Sequence, residues 1–366
     1  MNKKYLSTVA AFAALILNSP AWDYEGHRSV NELGLAALPK DFPAFVREPA
    51  TRERIIFLAG EADRWRNITD AKATPQRGLQ LGHCSGPDHY LDLEELAEYD
   101  LTPATLPLFR YQFVAAITKA RLEHPERFPA IDPAKNSDHS RELAGFLPWA
   151  INENFQKLQS GFSTLAAFEN HGGSPEEIAN AKQDIVYVMG VMGHFVGDAS
   201  QPLHATKHHH GWVTNATTGN PDKYSTSFGI HAYIDGGFFK KTGGIDVPKL
   251  SAQIKPASEI PSALDGDGIF AEAVDFVVQA NKLVEPLYTL DRDGKLSPRP
   301  GRGDEGRAFL EGQLVKSGQL MGNIWFTAYR TAPKDTFLIK QLQERAAANT
   351  NAVVLPPAKA PVEGVK

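Results

Sequence analysis

The stretch His194-Phe-Val-Gly-Asp198-Ala-Ser-Gln-Pro-Leu-His204 decides how the chain is read. It closes an apolar run that begins near Asp184 and has the pattern of a helix. Residues four apart on a helix share a face, so the His194 imidazole and the Asp198 carboxylate project the same way from a mostly buried segment. Pro202 cannot continue the helix, and His204 leaves on the turn that follows. A buried charge needs a partner or a metal. One reading is a hydrogen-bonded His–Asp pair with His204 incidental. The other, which the spacing favours, is a set of metal ligands on one rigid element and its exit.

Upstream, Ser174-Pro175-Glu176-Glu177 supplies an N-cap, a proline at the first helical position and acids in the first turn. The helix carrying His194 therefore starts there. Other helical patterns run from Trp22 to Leu38, Arg52 to Arg66, Leu108 to Glu123, Glu142 to Asn170, Phe270 to Leu290, Asp304 to Arg330 and Asp335 to Ala348. Residues 67–88 read as loop, and 205–230, rich in Thr, Asn and Gly, resist assignment. Strand patterns are few and no repeat is evident. The expectation is an all-α, multi-helix domain over residues 22–350 with long loops. The end of the chain, 351–366, is rich in Pro, Ala and Lys and reads as disordered.

Composition narrows the function classes. A formal net charge of −5 over 366 residues argues against a generally basic nucleic-acid-binding surface, yet allows a local positive site made by bound metal. Residues 1–21 read as a cleaved secretory signal: Lys3 and Lys4, an apolar run from Val9 to Leu17, then Ser19-Pro20-Ala21. The run is too short for a membrane span, and cleavage would make Trp22 the first residue and bring the charge to −7 by removing Lys3 and Lys4. The expected location is secreted or periplasmic. Cys84 is the only cysteine, so no internal disulfide forms.

Further ligand candidates sit at helix ends or beside Gly and Pro. They are His27, Asp63, His89, and the pair His231 and Asp235, which repeats the His-x-x-x-Asp spacing. Asp63 falls near the C-terminal end of its expected helix, where the dipole disfavours a carboxylate. That placement hints at a nearby cation. His83 competes with His89, whose His-Tyr-x-Asp context is preferred.

These residues together resemble the zinc-dependent single-strand-specific nucleases of fungi, plants and bacteria, which share a helical fold with the bacterial zinc-dependent phospholipases C. The resemblance spans roughly Trp22 to Arg330. It rests on Trp22-x-x-x-x-His27, Ala62-Asp63, His89-Tyr90, the His194 to His204 motif and His231-x-x-x-Asp235. It implies three zinc ions in a cleft: one on Asp63, His89, His194 and Asp198, one on His204, His231 and Asp235. The third falls on His27 and the amino and carbonyl groups of Trp22, with Asp198 as a bridge. It implies hydrolysis of phosphodiesters by a zinc-activated water. Asp63 would orient that water, and Arg66, one turn on, would contact a phosphate oxygen. Tyr90 would stack on a base and Asp92 would meet its edge. Single-stranded nucleic acid is the expected substrate and a monomer the expected state.

Several features depart from that family or leave alternatives. The interval from His89 to His194 is long, and the fungal disulfides are absent. His208-His209-His210 reads as a solvent-exposed run rather than a rim metal site or substrate contacts. Asn67-Ile-Thr69 and Asn215-Ala-Thr217 match glycosylation acceptors. A phospholipase C is the first alternative; the short Trp22–His27 interval and an aspartate at 235 favour the nuclease branch. A zinc-binding protein without catalysis is the second.

Overall fold

The computed structural model describes residues 22–66, 79–214, 219–261 and 268–353. The expected signal, both glycosylation acceptors, residues 67–78 and the chain after Val353 lie outside them. Among the described residues the protein is all-α, and the one β feature is an isolated bridge between Leu91 and Gly145. No described helix is long and apolar enough to cross a membrane.

The helices are α1 (Tyr24–Ala37), α2 (Pro49–Leu58), α3 (Glu61–Arg66), α4 (Leu79–Ser85), α5 (Arg110–Glu123), α6 (Leu147–His171) and α7 (Pro175–Ser200). Then come short α8 (Ile230–Ala232), α9 (Phe238–Lys241) and α10 (Val247–Ser251), followed by α11 (Gly268–Asn281), α12 (Val284–Arg292), α13 (Asp304–Arg330) and α14 (Thr336–Val353). Helix α7 is central: it packs against α1, α2, α3, α6, α11 and α13. Its start is the predicted capping box. Ser174 Oγ accepts from the Glu177 N–H, and the Glu177 carboxylate accepts from the Ser174 N–H. Gly172, at φ +85°, turns α6 into α7.

Two glycines of α7 let α1 approach closely. A β-carbon at Gly193 would lie 1.5 Å from Asn31 Oδ1, and one at Gly197 would lie 2.9 Å from His27 Nδ1. Asn31, fully buried, uses its Nδ2 group to tie α2 to α7 through the carbonyls of Ile55 and Gly190.

Three expectations need correction. The helix expected over Arg52–Arg66 is two, α2 and α3. The last N–H groups before the break, of Ala59 and Gly60, bond back to Ile56 and Phe57 in the tighter i−3 pattern, and Tyr24's ring crowds Gly60. Asp63 therefore sits in the first turn of α3, where the dipole favours a carboxylate. Its charge is not misplaced, contrary to expectation, and its position in the helix gives no sign of a cation. The expected loop over 67–88 contains α4 and the start of a 3-10 turn, Gly86–His89. The helix expected over Phe270–Leu290 is broken between Asn281 and Val284 into α11 and α12. Smaller shifts are the later start of α6, preceded by a 3-10 turn at Ser140–Glu142, and the extension of α14 to Val353, into the expected tail.

Candidate metal centre

The C-terminal end of α7 gathers three groups of buried side chains whose ligand atoms lie within 4.8 Å of one another. One is Asp63, His89 and His194; another is His27, His194 and Asp198; the last is His204, His231 and Asp235. Asp198 also approaches the first group, with Oδ2 3.0 Å from His89 Nδ1 and 3.5 Å from His194 Nε2. His194 thus faces two groups, because its ring stacks on that of His27 with centroids 3.7 Å apart.

Local structure aims each ring. The α2–α3 break exposes the Ala59 carbonyl, which accepts from His194 Nδ1 at 2.6 Å. The 3-10 turn Pro202–His204, which follows Pro202 as expected, brings His204 Nδ1 2.6 Å from the His89 carbonyl. With Nδ1–H donated, the neutral rings present Nε2 lone pairs inward. His231 and Asp235 face each other across a π-helical turn, Tyr233–Gly237, at 3.4 Å. That turn packs so closely on Asp23 that a β-carbon at Gly236 would fall 2.0 Å from Asp23 Oδ2. Gln201, buried in the His194–His204 motif, donates from Nε2 to Asp235 Oδ1 and accepts from the Leu203 N–H, both at 2.6 Å. Trp22 is wholly buried, its indole N–H held by the Gly197 carbonyl at 3.0 Å and Ser200 Oγ at 3.2 Å.

The electrostatics fit cation ligation. Burial keeps His27, His89 and His231 well below the usual imidazole range, lowers His194, and pushes His204 down to about 3. The rings are therefore neutral. Burial, reinforced by Asp63, raises the Asp198 carboxyl well above its usual range. Nitrogens face nitrogens: His194 Nε2 is 3.0 Å from His89 Nδ1, and His204 Nε2 is 2.9 Å from His231 Nε2. Two nitrogens bound to one tetrahedral ion at ~2.0–2.1 Å are ~3.3 Å apart. A proton between the rings would also account for such a pair. It would leave both nitrogens of His27, Nε2 of His89, Nδ1 of His231 and Asp198 Oδ1 buried without a hydrogen-bond partner. The donor set, imidazole and carboxylate without thiolate, fits a divalent ion.

Beside these groups lies a cavity of about 510 Å³ whose wall includes Arg66, Tyr90, Asp92, His204 and His231. Arg66 pairs with Asp63 at 3.1 Å. Asp92 is buried, its carboxyl raised by that burial, and its Oδ1 has no hydrogen-bond partner. His83 belongs to none of the three groups; it is exposed on α4, with Nδ1 2.8 Å from the Asp138 carbonyl.

The run His208–His210 is not the solvent-exposed tract expected. His208 is buried and stacked on Trp212, centroids 4.0 Å apart and planes within 1°. His209 and His210 line the cavity with Arg141, Lys207 and Phe228. Sequence reasoning did not single out those last three, nor Gln201, as site residues. Gln201 alone carried a signal, its place inside the motif.

No family model matches the chain, and no curated protein matches it. The fold and the site define an all-α protein with three buried His/Asp groups that could hold metal ions.

Proposed function

We propose that the protein is a zinc-dependent phosphodiesterase that hydrolyses single-stranded nucleic acid, with three zinc ions on Trp22, His27, Asp63, His89, His194, Asp198, His204, His231 and Asp235. One observation carries this reading. Three His/Asp groups, with His194 and His204 aimed by backbone carbonyls, reach through His204 and His231 to the wall of a cavity that also holds Arg66, Tyr90 and Asp92. When bound, zinc supplies an acidified water and stabilises charge on a phosphoryl group.

The chain's own residues do the rest. Arg66, braced by Asp63, binds a phosphate oxygen at the cavity wall. Asp63 orients the attacking water toward that phosphorus. Tyr90 offers a ring for stacking, which tolerates any base, and Asp92 on the same wall takes the base edge. The second reading, a phospholipase C, shares the metal groups. The polar cavity wall, with Asp92, Glu95, Arg141 and Lys207, suits a base and phosphate better than acyl chains.

The test combines metal content with turnover. The purified protein should hold close to three zinc per chain and cleave single-stranded DNA in preference to phosphatidylcholine, with both metal and activity lost to a chelator. Asp198→Asn should abolish activity and release zinc. A content near one zinc, or hydrolysis of lipid alone, overturns the reading.

A further inference from the structure

The loops that follow His204 build an aromatic ledge that the metal chemistry does not use. Phe228 is 60% exposed yet lies face to face with His210, centroids 4.3 Å apart and planes at 27°. His210 in turn packs on His231, centroids 5.1 Å apart. The exposed phenyl ring is thus two ring contacts from a residue of the third metal group.

The ledge is held from behind. Gly211, at φ +99°, turns the chain so tightly against Thr226 that a β-carbon there would lie 2.6 Å from its carbonyl carbon. The Trp212 N–H then donates to the Ser225 carbonyl at 2.8 Å. Its indole packs between the rings of His208, Tyr224 and Tyr288, with centroids at 4.0, 4.7 and 5.4 Å. Both loops are therefore pinned to α12, and the outer face of Phe228 is presented by a fixed frame. An exposed aromatic ring held in place beside a cavity has the character of a contact surface.

We infer that Phe228, backed by His210, is a second base-stacking step, separate from Tyr90, so that the cavity grips two nucleotides flanking the phosphate. The inference rests on the phosphodiesterase reading above. A nucleobase matches the flat outer face of Phe228, and the sugar-phosphate next to it meets Arg141 and Lys207 on the same wall. Those cations and the carboxylates of Asp92 and Glu95 on the same wall suit the polar parts of a nucleotide better than an acyl chain.

The test uses the zinc-loaded protein and a phosphorothioate hexathymidylate that resists cleavage, followed by fluorescence anisotropy. Phe228→Leu keeps apolar bulk and removes the ring; it should weaken binding about tenfold. Phe228→Trp should restore it. In parallel, the ratio of kcat/KM on a cleavable single strand to kcat/KM on bis(p-nitrophenyl) phosphate should fall about tenfold in Phe228→Leu and recover in Phe228→Trp. Wild-type-like binding by Phe228→Leu overturns the stacking step alone, as does an equal loss on both substrates. Failure of the wild type to bind the oligonucleotide, or an effect of Phe228 confined to phosphatidylcholine turnover, overturns the phosphodiesterase reading and the stacking step with it.

Discussion

His194 Nδ1 lies 2.6 Å from the carbonyl oxygen of Ala59, a group that exists as a free acceptor only because α2 stops there. A helix break 135 residues away in sequence fixes the tautomer of the imidazole that faces two of the three ligand groups. Gly60 lies at the break, and a β-carbon there would lie 2.9 Å from the ring of Tyr24. Gly60→Val should displace the Ala59 carbonyl and lower zinc affinity by roughly 10–100-fold, the usual cost of losing an outer-shell partner. Competition against a chromophoric chelator measures this; an unchanged isotherm would show that His194 holds its orientation without Ala59.

Gln201 acts on the other side of the site. Gln201→Leu removes the donor to Asp235 and the acceptor for the Leu203 N–H, both buried. Leaving such groups unsatisfied costs about 1–3 kcal/mol each. The variant should melt earlier than wild type even after chelation, and one equivalent of zinc should become weak while the others stay tight. Uniform weakening of every equivalent would place Gln201 outside the His204 group's support.

Gly197→Ala tests how closely α1 must approach α7. Replacing a helical glycine by alanine favours the helix by about 1 kcal/mol, but here the methyl would sit 2.9 Å from His27 Nδ1, and His27 is wholly buried. Overpacking of this kind costs about 1–3 kcal/mol and pushes His27 from its group. The difference in melting temperature between zinc-loaded and chelated protein should narrow. A widened difference would mean that His27 does not contribute to metal binding.

Stability against pH has a definite sign in the chelated protein. Burial holds the rings of His27, His89 and His231 well below 6.5, lowers His194, and takes His204 to about 3. The unfolded chain takes up these protons below about 6.5 and the folded chain does not. Stability is then full above that pH and is lost as pH falls through it, by up to about 1.4 kcal/mol per ring and pH unit. The carboxyls of Asp198, Asp92 and Glu95, raised by burial, act in the opposite sense and offset part of the loss. The melting temperature of the chelated protein should drop from pH 7 to pH 5. A rise over that interval would show that the carboxyls dominate.

Much of this was legible in the chain. The capping box at Ser174 and the His194–Asp198 spacing located α7, and α13 runs over the expected residues. What the sequence hid was set by tertiary contact. Periodicity carries straight through Ala59-Gly60 and through Lys282-Leu283, because each break is marked by a local i−3 bond and not by a proline. The histidine run 208–210 reads as polar. Only the stacking of Trp212 on His208 shows that it turns inward. Phe228 sits in a Gly- and Ser-rich segment with no period at all, so its place on the cavity wall had no sequence signal.

The last two turns of α7 and the residue that caps them serve every group: His194 belongs to two, Asp198 to one of these, and Gln201, at the head of the turn that carries His204, donates to Asp235 of the third. The three groups therefore share one beam. An ion that fixes the beam for one group would prepare it for the rest, so loading of the groups should be coupled. In protein given less metal than it can hold, native mass spectra taken at half-saturation should show more metal-free and more fully loaded molecules than independent groups would give.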